Sequence, residues 1–196
     1  MIPAPKIIFS DIDGTFLLDD HTVSEKSAEA VRALLASGIP FVLVSARMPE
    51  AIYPITQSIG VTIPIISYSG ALALTAEGET LEDVRVDAGA AGMVLSAIED
   101  RYPELTVNYY AGRRWYVRDE DDPRVRHEED ITHAKSERGN FDMLLSINTL
   151  PSKILLMGEP AVCERAESDL AAAYPMLHVV RSAPNLVEIM EASVSK

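Results

Sequence analysis

The sequence predicts an α/β protein: a doubly wound, Rossmann-like parallel core sheet accompanied by a smaller α+β module. Three observations predict it. Short apolar runs (IIF at 7–9, PFVLV at 40–44, PIISY at 64–68) each end in small polar residues, as buried parallel strands do. Stretches of helical period lie between them with short links, the alternation of a parallel sheet. Beyond Thr80 the order becomes helix-strand-strand, written twice, which is the order of an antiparallel sheet with helices on one face.

The first strand runs through Ser10 into Asp11 and Asp13, one residue apart, with Gly14 and Thr15 next. Ligands of open α/β sheets bind beyond the carboxyl ends of the strands, where this pair falls. Two carboxylates that close repel unless a shared proton or a cation relieves them, and near neutral pH a hard, oxygen-preferring ion such as Mg²⁺ does so. Asp-x-Asp-Gly alone is also an ordinary turn. The strand before it and its partners downstream favour a site.

Thr22-Val23-Ser24-Glu25 has the form of a capping box opening a helix. Ala28, Val31, Leu34 and Leu35 carry its apolar face, and Gly38 stops it. The second strand ends at Ser45-Ala46-Arg47, where a hydroxyl and backbone N–H groups suit phosphate oxygens without adding charge. Pro49 opens a second helix with Ile52, Ile55 and Ile59 on one face. The third strand ends at Ser69-Gly70.

In the second module the pattern predicts a strand at LEDVRV, a helix over 90–102, and strands at LTVNYY and RRWYVRD. A solvated acidic loop and helix over 119–130 follow, then a strand over 153–157, a helix over 161–174, and strands over 178–181 and 186–190. The second domain is expected at 83–186, with 1–82 and 187–196 forming the core. Arg113-Arg114-Trp115-Tyr116 mixes cations with aromatics and is a candidate sugar-phosphate contact, although its alternation also fits a half-exposed strand.

Composition narrows the function. A net charge of −13 argues against nucleic acid or an anionic membrane as partner. No apolar run reaches the length of a membrane span, and the N-terminal residues lack a signal-peptide pattern. The one cysteine, Cys163, reads as an inert helix residue, and a reducing cytoplasm is the expected compartment. His21, His127, His133 and His178 have no metal-ligand spacing and read as surface residues.

In this context KIIFSDIDGTFLL, VSAR, SGA and the final NLVEIMEASVSK together resemble the haloacid dehalogenase superfamily, in its Cof-type sugar-phosphatase branch. The resemblance implies that Asp11 is a nucleophile attacking phosphorus to form an aspartyl-phosphate. It implies that Asp13 protonates the leaving oxygen and then activates water. Asp11 and the backbone carbonyl of Asp13 would hold Mg²⁺, and Lys196 would steady the nucleophile and the phosphate. Ser45, Ala46, Ser69 and Gly70 would line the phosphate, with Arg47, Arg113 and Arg114 as weaker substrate candidates. The family commonly has Gly at the position of Ala46 and Asn at that of Ser69. The second module would be an α/β cap inserted after the third core strand.

The family's fourth motif, Gly-Asp followed by Asp, is absent before the last residue, Lys196. The expectations that follow are an incomplete core, weak Mg²⁺ binding and slow or absent turnover. An unpaired edge on the Asp11 strand is expected too, open to self-association. The function expected is Mg²⁺-dependent hydrolysis of a small phosphorylated metabolite. The alternatives are a non-catalytic binding or regulatory domain, and a receiver-like module phosphorylated on aspartate.

Overall fold

The computed structural model describes residues 5–194. The chain divides into two compact units, one running through Glu82 and the other from Asp83.

The first unit is built on β1 (Ile8–Asp11), α1 (Glu25–Ala36), β2 (Phe41–Val44), α2 (Pro49–Ser58), β3 (Ile65–Ser67), β4 (Leu72–Leu74) and β5 (Thr80–Asp83). The sheet order is β1-β2-β3-β4-β5, with β1, β2 and β3 parallel and β4 antiparallel to β3. Leu43, Ile52, Ile65, Tyr68, Leu72 and Leu74 form its buried interior. The LEDVRV stretch contributes its first residues to this sheet as the exposed edge strand β5, so the first sheet reaches the unit boundary.

Helix α1 begins two residues later than a Thr22 cap would place it. The amide and hydroxyl of Thr22 both donate to the Asp20 carboxylate, at 3.0 and 2.6 Å, so Thr22 closes a turn. The cap is Ser24, whose Oγ accepts from the Ser27 amide at 3.1 Å. Gly38 ends the helix at φ +74°, a left-handed position that costs glycine nothing.

Among the described residues β1 pairs on one side only, with β2. The apolar side chains around it stay open to solvent: Ile7 is 44% exposed, Phe9 56% and Leu18 52%.

The second unit carries α3 (Ala88–Arg101), β6 (Thr106–Ala111), β7 (Arg114–Val117), α4 (Pro123–Thr132), β8 (Ser136–Arg138) and α5 (Phe141–Ser146). Then come β9 (Lys153–Met157), α6 (Pro160–Ala173), β10 (Leu177–Ala183) and β11 (Leu186–Glu191). Its sheet runs β10-β11-β9-β6-β7-β8, antiparallel throughout except that β7 and β8 are parallel. One face packs Tyr109, Ile154, Leu156, Val187 and Ile189 against Val94 and Ile98 of α3, Phe141 of α5, and Cys163 and Leu170 of α6.

The expected boundary at 186 moves. Strand β11 pairs with both β10 and β9, so residues 187–191 belong to the second sheet and not to the core. Strand β8 and helix α5 were not expected, being three and six residues long with no periodic signature.

Alternation turns Asn108, Tyr110, Trp115, Lys153 and Glu188 to the face away from that helix-covered core, and all five are buried there. Lys153 Nζ lies 3.7 Å from Glu188 Oε1 and 5.1 Å from the Tyr110 ring centroid. Tyr110 stacks on Trp115, whose indole N–H donates to Asn108 Oδ1 at 3.0 Å.

Helix α4 carries a second buried acid, Glu129. Burial opposes its charge, but the Ser136 amide (2.8 Å), Lys135 (3.1 Å) and the Ser136 hydroxyl (2.9 Å) outweigh it and lower the carboxyl to about 2. The polar-looking 119–130 stretch is thus only partly solvated, since one of its acids ties α4 to β8.

Cys163 is buried, and burial pushes its thiol up, as an inert position requires. His21, His127 and His133 are exposed and His178 half-buried. No helix among the described residues is long and apolar enough to cross a membrane.

Candidate active site

The parallel pairing of β1 and β2 sets the site's frame. Asp11 lies opposite Val44, so Ser45 follows one residue beyond the end of the neighbouring strand, at a strand spacing of about 4.8 Å. After Asp11 the chain makes a tight turn pinned by its apolar residues: Ile12 and Phe16 are buried, and the Leu17 amide donates to Ile12 O at 3.0 Å. Between those anchors Asp13 is extended (φ −76°, ψ 126°) and Gly14 takes φ +71°. That glycine lets the chain reverse directly after the second aspartate.

The Asp13 carboxylate, 53% exposed, receives a fork from Arg47: Nε to Oδ2 at 3.1 Å and Nη2 to Oδ1 at 2.7 Å. The Arg47 side chain is only 15% exposed. Its backbone is held as well, since the Arg47 amide donates to Ser45 Oγ at 3.1 Å and its carbonyl accepts from the Tyr68 amide at 3.2 Å.

Ser45 is buried, and its main chain joins the ends of β2 and β3. Its amide donates to Ile66 O, and its carbonyl accepts from the Ser69 amide, both at 2.9 Å. The turn after β3 is left-handed at three successive residues, Tyr68, Ser69 and Gly70, with φ of +50°, +56° and +117°. Left-handed backbone costs non-glycine residues free energy, and persists when the surroundings over-determine it. Here the buried Tyr68 ring and the two bonds to the Ser45 and Arg47 carbonyls do so.

Of the residues singled out in the sequence, Asp11, Asp13, Ser45, Ala46, Arg47, Ser69 and Gly70 all lie at the carboxyl end of β1, β2 and β3. Lys196 lies outside the described residues. Arg113 and Arg114 belong to the second unit: Arg113 is in the two-residue loop between β6 and β7, and Arg114 forks onto Glu137 and covers the Tyr116 ring. Trp115 and Tyr116 are both buried, so the half-exposed strand expected here is instead an inner strand, flanked by β6 and β8. Tyr68 and the fork between Arg47 and Asp13 went unread. VSAR contains the arginine, but nothing in a sequence signals a pairing 34 residues away.

The oxygen donors beside the turn are the Asp11 carboxylate and the Asp13 main-chain carbonyl, while the Asp13 carboxylate is engaged by Arg47. Mg²⁺ keeps several waters and uses one or two carboxylates plus substrate phosphate, so this donor chemistry suits it. Among the described residues no cluster of three or more His, Cys, Asp or Glu forms a fuller cage.

Known proteins share this arrangement of chain. The family model for haloacid dehalogenase-like hydrolases matches residues 8–196. A Haemophilus influenzae protein provisionally named a phosphatase is 32% identical over 191 residues, covering 97% of this chain and 71% of its own length. A solved haloacid dehalogenase-like hydrolase from Bacteroides thetaiotaomicron has a TM-score of 0.83 at 23% identity, covering 96% of this chain and 72% of that one. A structure described as a sugar phosphatase of subclass IIB has a TM-score of 0.79 at 17% identity, covering 97% and 72%. The chain belongs to the haloacid dehalogenase-like hydrolase family, as an enzyme of phosphatase type.

Proposed function

We propose that this chain hydrolyses a phosphate monoester of a small, sugar-like metabolite through an aspartyl-phosphate on Asp11. What carries the reading is the juxtaposition of Asp11 with the buried Ser45 one residue beyond its register partner, beside an Asp13 held in place by Arg47. The Asp11 carboxylate attacks phosphorus as the bond to the leaving oxygen breaks, and Asp13, protonated on an oxygen that one arm of Arg47 releases, gives the leaving oxygen its proton. Asp13 then takes a proton from water, which attacks the same phosphorus, releasing phosphate and restoring Asp11. Ser45 and the amides beyond it would hold the phosphoryl oxygens without adding charge. Bound Mg²⁺ would supply charge neutralisation for the phosphate. Asp11 and the Asp13 carbonyl would be its protein ligands. The sugar-like substrate is supported by the neighbour described as a sugar phosphatase, and a cytoplasmic location by the lone buried cysteine.

Phosphate release from a panel of sugar phosphates, measured with Mg²⁺ and again with a chelator, tests the reading. Slow turnover that needs the metal is expected. No release from any ester, or release indifferent to chelation, would overturn it.

The single-sided pairing of β1, with Ile7 and Phe9 open beside it, also supports association of two copies through this edge. Light scattering should then give about twice the 21.4 kDa chain mass at micromolar concentration. A strictly monomeric mass overturns that proposal.

A further inference from the structure

We propose that Arg47 is the positioning residue for proton transfer by Asp13, and not a ligand of the substrate phosphate. The inference rests on the reading of Asp13 as the proton carrier given above. Its ground is the fork, in which both Asp13 carboxylate oxygens accept from one guanidinium, at 3.1 and 2.7 Å. Among the described residues these are the side-chain hydrogen bonds of that carboxylate. An aspartate on an exposed turn would otherwise swing among rotamers, and a proton carrier displaced by an ångström loses much of its effect.

Arg47 is built to prevent that swing. Its amide is tied to Ser45 Oγ, its carbonyl to the Tyr68 amide, and most of its side chain is buried. The strained turn at Tyr68 and Ser69 acquires a purpose in this light, because it delivers the amide that fixes the Arg47 backbone. The anchoring thus passes from the β3 turn through Arg47 to Asp13. The Nε–Nη2 edge of the guanidinium is committed to the carboxylate, in the geometry that makes bidentate arginine pairs specific, and the leaving-group test decides whether its Nη1 side also touches phosphate.

The leaving group discriminates between the two roles. An alkyl phosphate releases a basic alkoxide and needs the proton from Asp13, whereas 4-nitrophenyl phosphate releases a weakly basic phenolate and needs it far less. For Arg47→Gln, the single-turnover rate of Asp11 phosphorylation, which precedes the water step common to both esters, should fall about a hundredfold more on the alkyl ester than on the aryl ester, with KM little changed. Arg47→Lys keeps the charge but not the fork, so it should show the same selective loss. Equal losses on both esters, a rise in KM that accounts for the loss, or full rescue by lysine would each overturn the proposal.

Should the unaltered protein hydrolyse neither ester, the proposed function fails, and the clamp is then read without turnover. The Arg47 Nε–H resonance should be protected from solvent exchange and should lose that protection in Asp13→Ala. An Arg47 Nε–H that exchanges freely in the unaltered protein overturns the clamp on its own.

Discussion

Replacing Asp11 by Asn should lower phosphate release by at least about a thousandfold while leaving the protein folded, because the change removes the nucleophile and the anionic Mg²⁺ ligand together with almost no change of shape. Asparagine has the same shape and keeps one oxygen, but it cannot take up a phosphoryl group to form a mixed anhydride. The structural cost is small. Asp11 is only part-buried, and its side chain does not cap the turn that follows. Asp13→Ala should fail differently. With 4-nitrophenyl phosphate the first step needs little proton donation, so a burst of nitrophenol should precede a stalled steady state, and the phosphoryl group should be trapped on Asp11. Rapid-quench kinetics with peptide mapping reads both variants. Asp11→Asn retaining more than about a tenth of the turnover would remove Asp11 from the nucleophile's position, since losing an attacking group costs far more than that.

Much of the fold was legible because the physics that makes it is local. IIF and PFVLV are wholly apolar and PIISY nearly so, the pattern of buried parallel strands, and each became a strand of the first sheet, although Phe9 of the first stays exposed. Pro49 and Gly38 marked helix ends through backbone constraints that act within one turn. The polar residues at the strand ends were readable for the same reason, since the carboxyl edge of a parallel sheet follows from strand direction alone. What escaped was non-local or too short to have a period. Thr22 and Ser24 are both N-cap types, Ser the better one, and Asp20 engages Thr22 in a turn of its own. Strand β8 reads Ser-Glu-Arg, and it exists because β7 offered an edge and Glu129 gripped Ser136. Strand β11 was divided at 186 because nothing along the chain says that residues 187–191 face β9. In the site, the aspartates announced themselves, whereas the partner of Asp13 required folding to be seen.

Lys153 in SKILLMGEP illustrates how packing reassigns a charged residue. It opens an apolar run and lies in β9, 5% exposed, with Glu188 of β11, also 5% exposed, at 3.7 Å. Removing one charge of a buried pair leaves the other without its counter-ion in a poorly solvated place, which costs about 3–5 kcal/mol. Lys153→Met should therefore destabilise the protein by about that amount in chemical denaturation. By comparison, the exposed pair of Arg32 and Glu25 should contribute under about 1 kcal/mol, because water already solvates both groups. The second substitution carries the decision. Lys153→Met with Glu188→Leu removes both charges and fills the space with apolar atoms, so it should regain most of the lost stability or exceed the original. Tyr110 stacks on Trp115 without the ammonium and should keep its place, which the near-ultraviolet circular dichroism of the double variant would report. If the two substitutions merely add, each costing its share, Lys153 and Glu188 are independent packing residues and the pair is not what holds this face of the sheet.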